Sequence, residues 1–227
     1  MEISARTDIG TKRKNNQDNY FLMRTLVNDV ETTIACVCDG MGGLADGYLA
    51  SAMVINKLRN FFQQDCSIDG CRDVLDEANK AVFLTGKDKG AMMGTTCSII
   101  VLSNGRYWGF HVGDSRIYQL KDNENICITT DHTAVNKLGM KPDNPEYHKY
   151  VNKLTRCIGA VEYVNFDFLS GSYEESDKFL LCSDGFWHWQ EDKLTKNINL
   201  IKAIEDCKNN GETDNITVLE VTCVKKS

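Results

Sequence analysis

Apolar residues fall first into short alternating runs, then into helical spacing, then into runs again. Residues 2–8, 18–24 and 32–38 predict strands, the last through the β-branched stretch TTIACVC. From Asp46 the period changes: Ala50, Val54, Leu58 and Phe61 recur at helical spacing, which predicts a helix over about 45–64 packed on a sheet. A second helix fits 71–84. The stretch GTTCSIIVLSNGRYWGFHVGDSRIYQL then predicts strand, turn, strand, tight turn, strand. Asn104-Gly105 between two apolar runs is a strong hairpin signal, because a type I′ turn needs positive φ at both central residues. Residues 126–129 continue the meander. Strands return at 164–170 and 178–183, a helix pair fits 190–209, and NITVLEVTCV predicts a closing strand.

Between Asp131 and Ala160 the periodicity weakens, and both prolines, Pro142 and Pro145, fall there. This stretch is too short for a core of its own and reads as a mobile, flap-like insert at about 131–160 over one rim. Residues 1–227 therefore read as one domain. Antiparallel meanders with helices inserted in blocks predict an α+β fold, with helices covering the outer faces of stacked sheets.

The charge balance narrows the function classes. A net charge of −6 and a pI near 5.3 argue against a nucleic-acid binder, which needs a basic face. No apolar run of membrane-spanning length occurs and the chain opens on polar residues, so no membrane association and a cytoplasmic location are expected. Ten cysteines raise the question of disulfides or zinc. Cys36 and Cys38 alternate within an apolar strand, Cys97, Cys182 and Cys223 also sit in β-like runs, and no CxxC occurs. Buried free thiols are the expectation.

Three apolar strands run out into Asp beside Gly: IACVCDG at Asp39-Gly40, GFHVGDS at Gly113-Asp114 and FLLCSDG at Asp184-Gly185. A fourth carboxylate, Asp214 in TDNITVLEV, stands just before the last strand. Antiparallel pairing can bring a strand end and a strand start to one rim. Carboxylates gathered there repel one another unless a cation neutralises them. All-oxygen ligation selects hard divalent metals, Mg²⁺ or Mn²⁺. Asp-Gly after a strand is equally ordinary turn chemistry, and the residues alone leave the two readings level. An anionic substrate also wants an arginine, and GTKRKNNQDNY offers Arg13, whose planar fork matches two phosphoryl oxygens. A solvated basic loop is the alternative.

At this point the chain resembles the metal-dependent serine/threonine protein phosphatases of the PPM (PP2C-like) family, in their compact bacterial form. The resemblance rests on GTKRKNNQD, VCDGMGG, GTTCSIIVL, HVGDSRIYQL, TTDHT, LTRCIGA, LLCSDG and DNITV, which occur in that order over nearly the whole length. It implies a four-layer α-β-β-α sandwich, two stacked antiparallel sheets flanked by helices, with two Mn²⁺ or Mg²⁺ ions at one end. Asp39 would bridge the ions, the Gly40 carbonyl would bind one, and Asp184 and Asp214 would complete the other side. Asp114 matches an aspartate that helps hold a third, weaker ion. Asp18 would lie in or just outside the first metal shell, Gln17 would make no direct bond, and Arg13 would bind phosphate. A water bridging the two ions would be the nucleophile. The implied partners are phosphorylated proteins, with a eukaryotic-type Ser/Thr kinase as the opposing enzyme, and the expected state is a monomer.

Two departures stand out. Many relatives carry a histidine directly after the Asp-Gly pair or shortly after the glycine cluster, where this chain has Met41 and Leu44. His132 in TTDHT is a candidate replacement acid, with a structural role as its competing reading. The run Trp187-His188-Trp189 replaces a usual acidic residue after SDG-x-x. Two rival functions remain. One is an inactive relative that binds phosphoprotein. The other is a cysteine-dependent phosphatase built on Cys66 and Arg72, whose C-x5-R spacing is weak evidence because Asp65 and Asp69 oppose a thiolate.

Overall fold

The computed structural model describes residues 1–41, 46–122 and 124–224. Among the described residues, ten strands form two antiparallel sheets of five. The first sheet holds β1 (Glu2–Asp8), β10 (Ile216–Thr222), β9 (Lys178–Cys182), β6 (Arg116–Leu120) and β7 (Asn125–Cys127), in that order. The second holds β2 (Asn19–Val27), β3 (Val30–Cys38), β4 (Cys97–Ser103), β5 (Arg106–Val112) and β8 (Asp167–Ser172). Helices α1 (Gly47–Phe62) and α2 (Ile68–Asp88) cover the outer face of the second sheet. Helices α5 (Asp184–Gln190) and α6 (Leu200–Asn209) cover that of the first.

Strand β3 shows why the layers stack this way. Ala35 and Val37 face the other sheet, beside Leu181 and Leu219, whereas Ile34, Cys36 and Cys38 face the helices, beside Val54 and Leu75. Both faces are buried, so the strand reads as a continuous apolar run rather than an alternation. The result is the expected α-β-β-α sandwich.

The Asn104-Gly105 hairpin forms as predicted, with φ of 49° and 75°. Asn28 and Asp29 make a second left-handed two-residue turn, with φ of 50° and 62°, so β2 and β3 run on to Val27 and Val30 beyond the predicted strand bounds. Helix α2 starts earlier than predicted because Ser67 caps it, its hydroxyl accepting from the Gly70 N–H. Strand β8 sits slightly later than 164–170, since its pairing with β5 begins at Asp167 opposite His111.

The largest difference lies in the pair expected across 190–209. The first helix begins at Asp184, directly after Ser183, and ends at Gln190 with its Phe186 buried against α6. Residues 194–199 then lack helix, and α6 begins after Asn199, whose side chain accepts from the Ile201 and Lys202 N–H groups. Between Asp131 and Ala160 lie two single-turn helices, α3 (Ala134–Lys137) and α4 (Tyr147–Tyr150). The bridge Thr133↔Leu154 closes this segment on itself, and Thr95↔Ile158 ties it to the body.

Candidate metal centre and active site

The antiparallel order brings five loop ends to one rim. Asp39 follows β3, Asp114 lies in the β5–β6 turn and Asp184 opens α5. Asp214 precedes β10 and Asp18 precedes β2. Asp39, Asp114, Asp184, Asp214 and Arg13 line a cleft of about 200 Å³. Met41 and Thr96 form part of its wall, and Asn152 and Leu154 reach it from the 131–160 segment. Asp18 is buried beside the cleft, its Oδ2 accepting from the Ser183 hydroxyl at 2.8 Å.

The backbone of Asp39 is held on both sides. The Asp39 N–H donates to Thr96 Oγ1 at 2.8 Å, and the Asp39 carbonyl accepts from the Thr96 N–H at 2.9 Å and the Thr95 hydroxyl at 2.8 Å. Position 40 tolerates no side chain, because a Cβ there would stand 2.3 Å from the Gly47 carbonyl oxygen and 2.6 Å from that of Gln17. The glycine thus lets the chain pass close between two neighbouring backbones beside Asp39. Arg13 and Asp214 form a two-bond fork, Nε to Oδ1 at 2.8 Å and a terminal nitrogen to Oδ2 at 2.5 Å.

Asn215 is a site residue that motif reading did not single out. Its Oδ1 accepts from the Gln17 N–H at 2.8 Å, and its Nδ2 donates to the carbonyls of Ile9 at 2.9 Å and Asn15 at 3.2 Å. It therefore fixes the loop that carries Arg13 and Asp18. Its position next to Asp214 in DNITV was the available signal.

The electrostatics are those of crowded, unneutralised acids. Burial first, and then the charges of Asp18, Asp184, Asp114 and Asp214, push the Asp39 carboxyl well above the usual range. Burial and Asp184 do the same to Asp114. Burial raises Asp184, with His188 opposing, and lifts Asp18 to about 7 against the hydrogen bonds it accepts. One oxygen of Asp18 and one of Asp184 are buried with no hydrogen-bond partner. Unpartnered buried carboxylate oxygens are costly unless a cation meets them. An all-oxygen donor set with repelling charges fits hard dications.

The other candidates lie elsewhere. The His132 Nδ1 accepts from the Gly113 N–H at 3.0 Å, so Nε2 carries the proton and donates to Asp167 at 2.9 Å. Both nitrogens are engaged and the ring does not line the cleft, which favours the structural reading. Met41 stands in the cleft wall, whereas Leu44 lies outside the described residues. Cys66 sits between α1 and α2 without an anion loop, its thiol pushed up by burial and by Asp65. Arg72 lies over the Phe110 ring at 5.2 Å, which removes the cysteine-phosphatase geometry.

Eight of the ten free cysteines are buried; Cys66 is half-buried and Cys127 exposed, contrary to a uniformly buried set. Cys127 ends the edge strand β7. Cys36, Cys38 and Cys97 cluster within 4.8 Å of one another under α1 and α2, a grouping invisible in their spacing. Burial raises the thiols of Cys36 and Cys38, so they pack as small apolar groups.

Comparison with known proteins agrees with this architecture. The family model described as protein phosphatase 2C matches residues 10–218. Protein phosphatase PhpP of Streptococcus pneumoniae is 33% identical over 245 residues, covering 98% of this chain and 97% of that protein. The crystal structure of serine/threonine phosphatase Stp1 from Staphylococcus aureus superposes with a TM-score of 0.84 at 25% identity, covering 99% of this chain and 95% of that one. The catalytic domain of serine/threonine phosphatase PstP, in complex with two manganese ions, gives 0.82 at 26% identity over 99% and 98% of the two chains. The chain belongs to the protein phosphatase 2C family and is a protein phosphatase of the bacterial kind.

Proposed function

We propose that the protein hydrolyses phosphoserine and phosphothreonine in other proteins, using two Mn²⁺ or Mg²⁺ ions held at the carboxylate cluster. The observation that carries this reading is the convergence of Asp39, Asp184 and Asp214 on one cleft beside Arg13, with an orphaned buried oxygen on Asp184. Asp39, whose carboxyl feels the charges of Asp18, Asp184, Asp114 and Asp214, would hold both ions, helped by the Gly40 carbonyl and by Asp184 and Asp214. Asp114 serves a third, weaker position, and Asp18 backs the cluster from the buried side. Bound there, such dications lower the pKa of water and offset the charge of the phosphoryl group.

The chain's own groups do the rest. The Arg13 guanidinium, held at the cleft by Asp214, would present its fork to two phosphoryl oxygens. The carboxylates exclude anionic substrates until they are neutralised, which ties substrate entry to metal loading. The 131–160 segment, whose Asn152 and Leu154 line the cleft, would act as a flap over the substrate within a single domain spanning the chain.

Ten free cysteines suit a reducing compartment, so the site of action is the cytoplasm. No helix among the described residues is long and apolar enough to cross a membrane. The enzyme would act as a monomer on products of a eukaryotic-type kinase.

The deciding experiment is release of inorganic phosphate from a phosphothreonine peptide. Activity should require added Mn²⁺ or Mg²⁺ and vanish with chelator. Binding of the peptide without turnover, at any metal concentration, would favour the phosphoprotein-binding alternative, for which the absence of histidine at position 41 is the supporting observation.

A further inference from the structure

The turn that carries Asp114 is gripped from two sides, and one arginine joins the two grips. On one side, the Trp187 Nε1–H donates to the Asp114 carbonyl at 2.9 Å. On the other, Gly113 and His132 exchange two hydrogen bonds. The Gly113 N–H donates to His132 Nδ1 at 3.0 Å, and the His132 N–H donates to the Gly113 carbonyl at 2.7 Å.

Arg116 closes the circuit. Its guanidinium lies 3.5 Å from the centre of the Trp187 ring, and it grips Asp131, the neighbour of His132, through Nε at 3.0 Å and a terminal nitrogen at 2.8 Å. Its remaining terminal nitrogen meets Glu191, just past the end of α5, at 2.7 Å. A bidentate arginine pair stacked on an indole is geometrically demanding, because both the fork and the plane must be in register. The ring of contacts therefore links three things of different function. These are the Asp114 turn, the helix that begins at Asp184, and the root of the 131–160 segment, where the Thr155 N–H donates to the His132 carbonyl at 2.7 Å. Leu154, next to Thr155, lines the cleft.

We infer that Trp187, clamped by Arg116, is a positioning residue that sets the Asp114 carboxylate and couples it to the 131–160 segment. This rests on the metal-centre reading above. Trp187 touches no substrate; it holds the backbone from which Asp114 projects, so it acts on the weaker cation position and leaves the Asp39–Asp184–Asp214 cluster intact. The same circuit makes a shift at the segment root move Asp114, so phosphoprotein docking on that segment and occupancy at Asp114 favour each other.

The test is Trp187→Phe, which keeps an aromatic ring under Arg116 and removes the N–H together with the rest of the five-membered ring. Manganese binding is counted from the loss of the free-ion paramagnetic resonance signal, independently of activity. The weakest class of bound Mn²⁺ should weaken by about three- to tenfold, the effect of one hydrogen bond, with the tighter classes unmoved. Arg116→Lys, which keeps the charge and loses the fork, should weaken the same class, and it reads the same link if Trp187→Phe does not fold. Both variants should raise KM for a phosphoprotein more than for para-nitrophenyl phosphate, which is too small to engage the segment. An unchanged manganese isotherm accompanied only by a lower unfolding temperature would mean a purely structural role and would overturn the inference. If the wild-type chain and Asp39→Asn bound manganese alike, the metal-centre reading itself would fall, and the inference with it.

Discussion

Arg13 and Asp214 are bound to each other by two hydrogen bonds across 201 residues of sequence, so the proposed phosphate-binding group and a proposed metal ligand hold one another. The carboxylate raises the Arg13 pKa through these bonds and keeps the guanidinium in place at the cleft mouth. A cation arriving at Asp214 competes for the same two oxygens and frees the fork for substrate. Arg13→Ala should therefore raise KM for a phosphothreonine peptide by about tenfold or more, with a smaller fall in kcat, since one bidentate charge-assisted contact is lost. The same variant should bind Mn²⁺ more tightly, because it lacks the competing cation. Weaker manganese binding in Arg13→Ala would contradict this exchange.

Asp39→Asn and Asp184→Asn should each reduce turnover to background while the fold persists, because they remove charge that only a cation requires. In the absence of metal both should unfold at a higher temperature than wild type, since each relieves repulsion within the cluster. A lower unfolding temperature in both would show that the carboxylates are structural.

The raised acids give the metal-free protein a definite pH dependence. Asp18 holds its proton to about 7 in the folded state, and burial and neighbouring carboxylates also raise Asp39 and Asp114, whereas an unfolded aspartate releases its proton near 4. Between those values the folded chain binds more protons than the unfolded one, so stability falls as pH rises. The stabilisation is complete below about pH 4 and, for Asp18, is lost as pH passes 7. Thermal unfolding in chelator should show this decline on going from pH 5 to 8, and saturating Mn²⁺ should reverse it. A flat profile in chelator would refute the crowding.

Met41 stands in the cleft wall, and its sulfur lies over Gly94. Met41→His should place an imidazole where none now exists and raise kcat on phosphothreonine peptides several-fold, short of the roughly 10²–10⁴-fold typical of a general acid. Para-nitrophenyl phosphate, whose leaving oxygen is a weak base, should gain less. The ratio of the two kcat values across pH is the measurement. An unchanged ratio in a folded, metal-loaded variant would mean that leaving-group protonation is already supplied.

Native protein should react with a thiol reagent at Cys127 first and Cys66 more slowly, with the remaining eight cysteines released only on unfolding. Cys66→Ser should keep full activity. Loss of activity in that variant would reopen the cysteine mechanism that the position of Arg72 argues against.

Much of the architecture is legible in the chain itself, because the signals are local. The both-face burial of β3 is written in TTIACVC, and the hairpin at Asn104-Gly105 in residue types that favour its positive-φ dihedrals. The repeated Asp at strand ends is visible as a pattern, and the order of the motifs carries the family. Local signals misplace α5, however, because Asp184-Gly185 reads as a turn when seen alone. Only with Phe186 buried against α6 does a helix start at that aspartate.

What the tertiary structure alone decided is which distant residues meet. Asp18 receives the Ser183 hydroxyl across 165 residues, Asn215 fixes the Arg13 loop across 198, and Trp187 reaches the Asp114 carbonyl across 73. None of these contacts has a periodicity, a spacing or a composition of its own. They exist because two sheets stack with their loop ends at one rim, and the crowding of carboxylates that makes a cation necessary appears only once that stacking has removed them from water.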